Sequence, residues 1–186
     1  IKVEGCDIPC PLTSYKEMKF NKILRKALKR KSIKAPTPIQ IQGLPAVLSG
    51  RDVIGIAFTG SGKTLVFILP LIMFSLEQEI EMPIQKNEGP FALILVPSRE
   101  LARQIYDNIQ YFCKCFSDSG FPVLKNHLCI GGVAVREQIE VVKKGCHILI
   151  ATPGRLIDLL NKNIINLSVC RYLFLSSYFL FFIATI

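Results

Sequence analysis

Residues 57–64 read AFTGSGKT, and this octapeptide with its two flanks decides the fold class. The short apolar stretch 52–56 before it predicts a buried strand, and the apolar stretch 65–76 after it is long enough for a helix. A strand, a glycine-rich turn and a helix in this order are the context of a phosphate-binding loop, or P-loop. The general pattern begins with glycine, whereas this chain has Ala57 there.

The residue types of the octapeptide suit phosphate chemistry. Its two glycines let the backbone turn tightly and bring N–H groups close to phosphate oxygens. The N-terminus of the following helix adds the positive end of a dipole. We expect Lys63 to reach the β- and γ-phosphates and the Thr64 hydroxyl to bind Mg²⁺. The predicted nucleotide-binding residues of the loop are Thr59, Gly60, Ser61, Gly62, Lys63 and Thr64.

Positive charge is concentrated in one segment. The chain has 186 residues, enough for one domain with a core, and its formal net charge of +9 suggests a polyanionic partner. Residues 16–34 contain nine Lys/Arg and one Glu, a net charge of +8. Apolar residues from Phe20 to Leu28 recur at helical spacing and predict an amphipathic helix over 16–34. Its basic face is either solvated or in contact with RNA, and both interpretations stay open.

Cysteine usage indicates the cellular compartment. The chain has seven cysteines, an odd number, and no Cys-x-x-Cys pair or visible signal peptide. We therefore expect reduced, mostly buried thiols in an intracellular protein, and no zinc site. The apolar segment 172–186 is shorter than the roughly 20 residues that a membrane-spanning helix needs, so no membrane contact is expected. Nothing in the sequence indicates a homo-oligomer.

Strands and helices alternate along the chain after an irregular segment, residues 1–14. Prolines 36 and 38 separate the basic helix from a second one at 39–48. Three further strands are predicted, at 92–96, 127–130 and 147–151. A helix is predicted after each: the first ends at about residue 112, the second spans 133–144, and the third begins at residue 152. The continuous apolar runs are typical of strands buried on both faces, and the alternation predicts an α/β fold with a parallel sheet.

Three polar or glycine-rich turns are predicted at the carboxyl ends of these strands, on the side of the P-loop. Ligands of open α/β sheets bind outside these ends. Each turn opens a helix and offers backbone N–H groups, and two arginines add positive charge. Together the turns suggest a track for a sugar-phosphate backbone, with contacts largely independent of base sequence. The residues predicted to contact such a backbone, which the family resemblance below implies is RNA, are Pro97, Arg99, Gly131, Gly132, Thr152, Gly154 and Arg155.

Three further runs match a known family. They are PIQIQG at 38–43, IGIAFTGSGKTLVF at 54–67 and SRELARQ at 98–104. With them, residues 12–175 resemble the first RecA-like lobe of the DEAD-box ATP-dependent RNA helicases, and the Abstrakt subgroup in particular. The resemblance implies a P-loop, RecA-like parallel sheet flanked by helices, ATP and Mg²⁺ as cofactors, and ATP hydrolysis coupled to RNA duplex unwinding. The family's own P-loop has alanine at the position of Ala57.

The resemblance also implies roles for individual residues. Gln40 matches the glutamine that reads the adenine edge. Tyr15 stands where a phenylalanine usually stacks on the base, and tyrosine keeps the aromatic ring. Ser98 replaces the threonine of the family motif Pro-Thr-Arg-Glu-Leu-Ala and keeps its hydroxyl. Glu100 of that motif either caps a helix or acts directly, and both interpretations stay open.

The resemblance ends after residue 175. The family motif Asp-Glu-Ala-Asp, which holds Mg²⁺ through water and positions the attacking water, should follow the strand 172–175, but this chain has SSYF at 176–179. We therefore interpret the chain as an incomplete lobe, with the second RecA-like lobe outside it. The predicted divisions are an irregular segment 1–14, a RecA-like lobe 15–175 with a Q-motif region 15–43, and an aberrant apolar tail 176–186.

The function favoured by these observations is that of an ATP-dependent RNA helicase by family, with weak binding of ATP and RNA backbone and no turnover by this chain alone. The alternative is a non-catalytic RNA-binding or interfering fragment. A small P-loop kinase is less favoured. A GTPase is also less favoured, because the chain lacks the Asn-Lys-x-Asp motif that recognises guanine. By resemblance we expect a nuclear location, with the cytoplasm as the alternative.

Overall fold

The structure is a computed structural model that describes residues 2–132, 139, 142–176 and 180–185. Its helices are α1 (Lys22–Arg30), α2 (Pro38–Leu48), α3 (Lys63–Glu81), α4 (Arg99–Ser117) and α5 (Pro153–Asn161). Its strands are β1 (Val53–Ile56), β2 (Ala92–Leu95), β3 (Asn126–Cys129), β4 (Ile148–Ala151), β5 (Tyr172–Ser176) and β6 (Leu180–Thr185). The helix predicted over 133–144 lies mostly outside the described residues. None of the described helices is long and apolar enough to cross a bilayer.

The six strands form one sheet in the order β1-β6-β5-β2-β4-β3. Strands β5, β2, β4 and β3 are parallel, which confirms the α/β class. Strand β6 is antiparallel to both of its neighbours, β1 and β5, so the sheet is mixed. Residues 180–185, interpreted from the sequence as part of an aberrant tail, therefore form an interior strand of the sheet.

Helices cover both faces of the central strands. On one face, Ala92 and Ile94 of β2 belong to a core cluster shared with α1, α2, α3 and α4. On the other face, Leu93 of β2 and Leu149 of β4 belong to a cluster with Leu159 of α5. Because successive side chains of a strand point to opposite faces, this division follows the alternation along each strand. The prediction that β2 and β4 are buried on both faces is confirmed.

The prediction that the strand before the P-loop is buried is wrong for half of its residues. Ile54 is 67% exposed and Ile56 is 73% exposed. Strand β1 lies at the edge of the sheet, and β6 is its one partner among the described strands. Only its inward residues reach the core, where Gly55 packs against the ring of Phe181. An apolar run of four residues does not reveal whether a strand is central or at an edge.

Two helices differ in length from their predictions. The basic helix begins at Lys22 rather than near residue 16, because Asn21 caps it and its Oδ1 accepts a hydrogen bond of 2.8 Å from the Ile23 N–H. Its apolar stripe, represented by Leu24 and Leu28, is buried in the core as predicted. Helix α3 continues to Glu81, so the surface loop before β2 is shorter than the predicted 77–90.

Candidate nucleotide and RNA site

The P-loop connects β1 to α3 and has the backbone geometry that phosphate binding needs. Helix α3 begins at Lys63, and Gly62 is its N-cap with a φ of +92°. A side chain at Gly62 would be strained by this left-handed backbone, and its Cβ would lie 2.5 Å from Gln40 Nε2. At Gly60, where φ is +82°, the space for a Cβ is open. The glycine-rich turn therefore presents its backbone at the positive end of a 19-residue helix.

Two polar side chains of the P-loop, those of Lys63 and Ser61, differ in their hydrogen bonding. The ammonium of Lys63 donates a hydrogen bond to the carbonyl oxygen of Ala57, so the lysine folds back over its own loop. Desolvation by partial burial lowers the pKa of Lys63 below its ordinary value. The hydroxyl oxygen of Ser61 is buried and has no hydrogen-bond partner among the described residues. An anion placed in the turn would give the Ser61 hydroxyl a partner and would offer the Lys63 ammonium an opposite charge.

Gln40 joins the segment before α1 to the P-loop. Its side chain is buried, at 1% exposure. Its Oε1 accepts hydrogen bonds from the Tyr15 hydroxyl at 2.6 Å and from the Thr37 N–H at 3.1 Å. Its Nε2 donates to the carbonyl oxygen of Gly62 at 2.9 Å. The residue expected to read the base is therefore in direct contact with the loop expected to hold the phosphates.

Sequence reasoning did not identify the contact between Gln40 and Gly62. The spacing Thr37-x-x-Gln40 at the start of α2 is that of a capping box, and it was a usable signal for the bond to Thr37. No local pattern indicates the bond to the P-loop, because Gly62 is 22 residues away. Tyr15, predicted to stack on the base, is 6% exposed, and its burial raises the pKa of its hydroxyl to about 12.

The predicted RNA-binding turns lie at one edge of the sheet. In the register of the parallel strands, Leu95 aligns with Ala151 on one side and with Leu175 on the other. Cys129 aligns with Ala151 in turn. The chain therefore leaves β2, β3, β4 and β5 at the same level. The structure thus brings together the turns at residues 97–99, 131–132 and 152–155, as the sequence predicts.

Arg99 lies over the glycine turn that follows β3. A Cβ at Gly132 would be 2.7 Å from Arg99 Nη1, and one at Gly131 would be 3.2 Å from Nη2. Gly132 also has a φ of +82°. The absence of side chains at this turn lets the guanidinium lie close to its backbone, so the two predicted contact elements form one continuous surface.

The residues at the N-termini of α4 and α5 determine where these two helices begin. The Ser98 hydroxyl caps α4 and accepts a hydrogen bond of 3.2 Å from the Leu101 N–H. Glu100 lies in the first turn, where a negative charge is favourable. Thr152 is the N-cap of α5, as predicted, but its hydroxyl forms no cap hydrogen bond. Gly154 is exposed and has open space around it, and Pro97 is also exposed.

The end of β5 is separated from the P-loop strand β1 by one strand, β6. Ser176 pairs with Phe181, and Leu180 of β6 pairs with Ile56, the last residue of β1. Two inter-strand spacings of about 4.8 Å therefore separate Ser176 from the start of the loop. The position where the family places its first acidic residue thus lies level with the end of the P-loop strand, two strands away, and it carries a hydroxyl.

A glycine-rich loop at the N-terminus of a helix, with polar turns along the same sheet edge, defines an α/β P-loop domain. The family model described as DEAD/DEAH box helicase matches residues 37–175, and the chain belongs to this family.

Curated relatives carry the same family name. The chain is 56% identical over 173 residues to "DEAD-box ATP-dependent RNA helicase 35" of Arabidopsis thaliana, which covers 93% of this chain and 29% of that protein. It is 55% identical over 173 residues to "ATP-dependent RNA helicase abstrakt" of Drosophila melanogaster, with 93% and 28% covered. The chain therefore spans less than a third of the length of these relatives.

Solved structures agree with the fold. The RNA helicase Prp28 from Chaetomium thermophilum, bound to ADP, matches with a TM-score of 0.79 and 37% identity over 94% of this chain and 40% of that one. The yeast DEAD-box splicing factor Prp28 matches with a TM-score of 0.81 and 33% identity over 92% and 39%. These neighbours confirm the RecA-like architecture inferred from the sequence.

The variant Gln40→Ala distinguishes two roles of Gln40, recognition of the adenine base and support of the P-loop. A glutamine amide can both donate to and accept from the adenine edge, whereas guanine presents the reversed pattern. The substitution should weaken ATP and ADP binding by about tenfold, the effect of one or two hydrogen bonds, and leave GTP binding nearly unchanged. Isothermal titration with the three nucleotides measures this. Equal losses for all three would assign Gln40 to support of the P-loop through Gly62.

Proposed function

We propose that the chain is the ATP-binding part of an ATP-dependent RNA helicase. The observation that carries the proposal is the contact between the buried Gln40 amide and the P-loop residue Gly62. It joins a group able to recognise adenine to a loop shaped for phosphates, as one nucleotide would require. Family membership and the ATP-dependent relatives support the same activity.

The residues of the loop fit a nucleotide with Mg²⁺. The Ser61 hydroxyl, which has no hydrogen-bond partner in the described part of the chain, and the open turn at Gly60 offer hydrogen-bond donors to phosphate oxygens. Lys63 would exchange the Ala57 carbonyl for the β- and γ-phosphates. The Thr64 hydroxyl would hold Mg²⁺ together with phosphate oxygens and water, and the ion would neutralise phosphate charge.

We expect the 186-residue chain to bind ATP without appreciable turnover. Residues 176 and 177 are serines, so neither supplies a carboxylate to hold the metal or orient the attacking water. Phosphoryl transfer depends almost wholly on such positioning and charge stabilisation. Phosphate release with and without RNA measures turnover, and Lys63→Ala is the negative control. Hydrolysis well above that of the Lys63→Ala control would contradict the expectation.

Introducing the family motif Asp-Glu-Ala-Asp at 176–179 distinguishes the contribution of the metal site from that of the groups in the second lobe. The substitutions Ser176→Asp, Ser177→Glu, Tyr178→Ala and Phe179→Asp should tighten binding of Mg-ATP. They should not restore turnover, because the arginine fingers that the family resemblance assigns to a second lobe contribute about 10³ to 10⁵ in rate. RNA-stimulated turnover by the graft alone would show that the carboxylates were the only missing groups.

We further propose that the turns at the strand ends bind an RNA backbone. We expect weak binding that is indifferent to base sequence and falls with salt, with a slope of about −0.7 per phosphate contact for single strands. Arg99→Gln and Arg155→Gln should each reduce that slope by about 0.7. Arg171→Gln is the matched control, because Arg171 is exposed just before β5, at the amino ends of the parallel strands. A marked preference for one sequence would argue against a backbone track.

RNA binding without any nucleotide binding would favour the second candidate, a non-catalytic RNA-binding fragment. The serines at 176 and 177 are the observation that keeps this candidate open. Fluorescence anisotropy of labelled RNA, measured beside nucleotide titration on the same preparation, separates the two functions.

A further inference from the structure

A basic cavity lies on the side of α1 that faces away from the core. Its volume is about 400 Å³, and it is bounded by the segment before α1, by α1 itself and by the segment leading to α2. The cationic side chains that line it are Lys16, Lys22, Arg25, Lys26, Lys29 and Lys34. Among the described residues, no acidic side chain lines it. We propose that this cavity binds a compact organic polyphosphate, at a site separate from the P-loop.

The spacing of the cations on α1 causes electrostatic repulsion when no anion is bound in the cavity. Lys22 and Lys26 are four residues apart, as are Arg25 and Lys29, and like charges at this spacing repel each other. The opposite face of the helix is fixed, because Leu24 and Leu28 are buried in the core. The cationic face therefore cannot rotate away from the cavity, and a bound anion would relieve the repulsion.

Glu17, the acidic residue of the segment before α1, is hydrogen-bonded to backbone that borders the cavity and forms no ion pair with the cavity cations among the described residues. The Glu17 carboxylate accepts hydrogen bonds from the backbone N–H groups of Thr13 at 3.0 Å and Ser14 at 3.2 Å. None of the six cations forms an ion pair with a carboxylate of the described residues. Arg25 Nε is buried and has no hydrogen-bond partner there either. A guanidinium in this state suits a phosphate, which it can bind through two parallel hydrogen bonds.

The size and lining of the cavity favour a compact ligand over an extended strand. Its volume lies within the range of about 300–1,000 Å³ that small-molecule sites occupy. Tyr15, Ile33, Ala35 and Pro36 add an apolar part to the lining, against which a carbon ring can pack. Several clustered phosphates on such a ring would match the six surrounding charges.

This site lies outside the P-loop and adjoins the predicted base site at one residue. The six cations lie outside the P-loop, and the residue that the cavity shares with the predicted nucleotide site is Tyr15. The hydroxyl of Tyr15 is directed to Gln40. Loss of the P-loop lysine should therefore leave the cavity intact, and this separates failure of the present proposal from failure of the proposed function.

The test uses the full chain and myo-inositol hexakisphosphate as the probe, in isothermal titration at about 0.15 M salt. The double variant Lys22→Gln/Lys26→Gln should bind the probe at least about tenfold more weakly, since charge-assisted hydrogen bonds to phosphate are the strong ones. The control Lys86→Gln/Lys144→Gln removes the same charge from exposed positions elsewhere and should bind like the unaltered chain. Circular dichroism confirms that both variants are folded.

Three results would overturn the proposal. An equal loss of affinity for the probe in the two double variants would show nonspecific attraction to the basic surface. Loss of the probe in Lys63→Ala, with Lys22→Gln/Lys26→Gln unaffected, would place the probe on the P-loop. Displacement of the probe by a ten-nucleotide single-stranded RNA at lower concentration than by unlabelled probe would assign the cavity to RNA.

Discussion

The Lys63→Ala variant is expected to lose nucleotide binding while keeping the fold. The ammonium is the one side-chain charge in the octapeptide 57–64, and it is a point charge available to the β- and γ-phosphates. In the structure its hydrogen bond goes to the Ala57 carbonyl of the same loop. Removing it therefore deletes a phosphate contact and polar contacts within the loop, and Lys63 belongs to neither core cluster. We expect ATP affinity to fall by at least about 100-fold, the effect of losing about 2.7 kcal/mol.

The control for this variant is Lys86→Ala, which removes the same charge from an exposed position in the loop before β2. Titration with ATP measures affinity, and urea unfolding measures stability. The free energy of unfolding should change by no more than about 1 kcal/mol, the typical contribution of a single hydrogen bond. Unchanged ATP affinity in a folded Lys63→Ala chain would show that residues 57–64 are not the nucleotide site.

The second large effect is expected from Gly55→Val in β1. A Cβ at Gly55 would overlap the ring of Phe181 in β6. That ring is 1% exposed and packs beside Phe174, with ring centroids 6.0 Å apart. Phe174 is stacked on Phe67 of α3 at 3.5 Å. Since the aromatic residues fix one another, the strand must move instead, and overpacking of this kind costs about 1–3 kcal/mol or more.

The strand that moves leads directly into the P-loop, so Gly55→Val should weaken nucleotide binding as well as stability. A melting temperature lower by roughly 2–4 °C per kcal/mol is expected for a chain of this length. Calorimetry and ATP titration measure the two effects. A melting curve identical to that of the unaltered chain would contradict the packing of Gly55 against Phe181.

A double-mutant cycle assigns the effect to this pair. Phe181→Ala alone should cost about 3–5 kcal/mol, because it leaves a cavity in the core. In the Phe181→Ala background the added methyl of Gly55→Ala would occupy vacated space. The double variant should therefore be more stable than the sum of the two single losses predicts, and strict additivity would exclude direct contact.

The sequence predicted the phosphate loop and the shared edge of the turns because both depend on local patterns. Residues 57–64 carry their own turn chemistry, and the carboxyl ends of parallel strands must meet once the helices connect them. The buried apolar stripe of α1 was predicted for the same reason, since Leu24 and Leu28 repeat at helical spacing. Its start was misplaced because the basic residues before Asn21 do not oppose helix formation, and the cap alone sets the boundary.

What could not be predicted depends on contacts between distant residues. The bond from Gln40 to Gly62 and the pairing of β1 with β6 have no local signature. An aromatic and β-branched stretch at 180–185 is compatible with a strand, but nothing within it specifies its neighbours. The exposure of Ile54 and Ile56 follows from the same pairing, because β6 leaves β1 at the edge. The role of β6 in the sheet was accordingly mistaken for that of a tail.

The place of β6 in the sheet also has a kinetic consequence. Val53 pairs with Ile183, and the two residues are 130 positions apart in the chain. Contacts of such high sequence separation raise the contact order and slow folding, because the entropy of closing the loop is lost before the contact forms. We therefore expect the four parallel strands to assemble first and the nucleotide loop to gain its final anchorage late. During refolding, recovery of ATP binding should lag behind recovery of sheet structure.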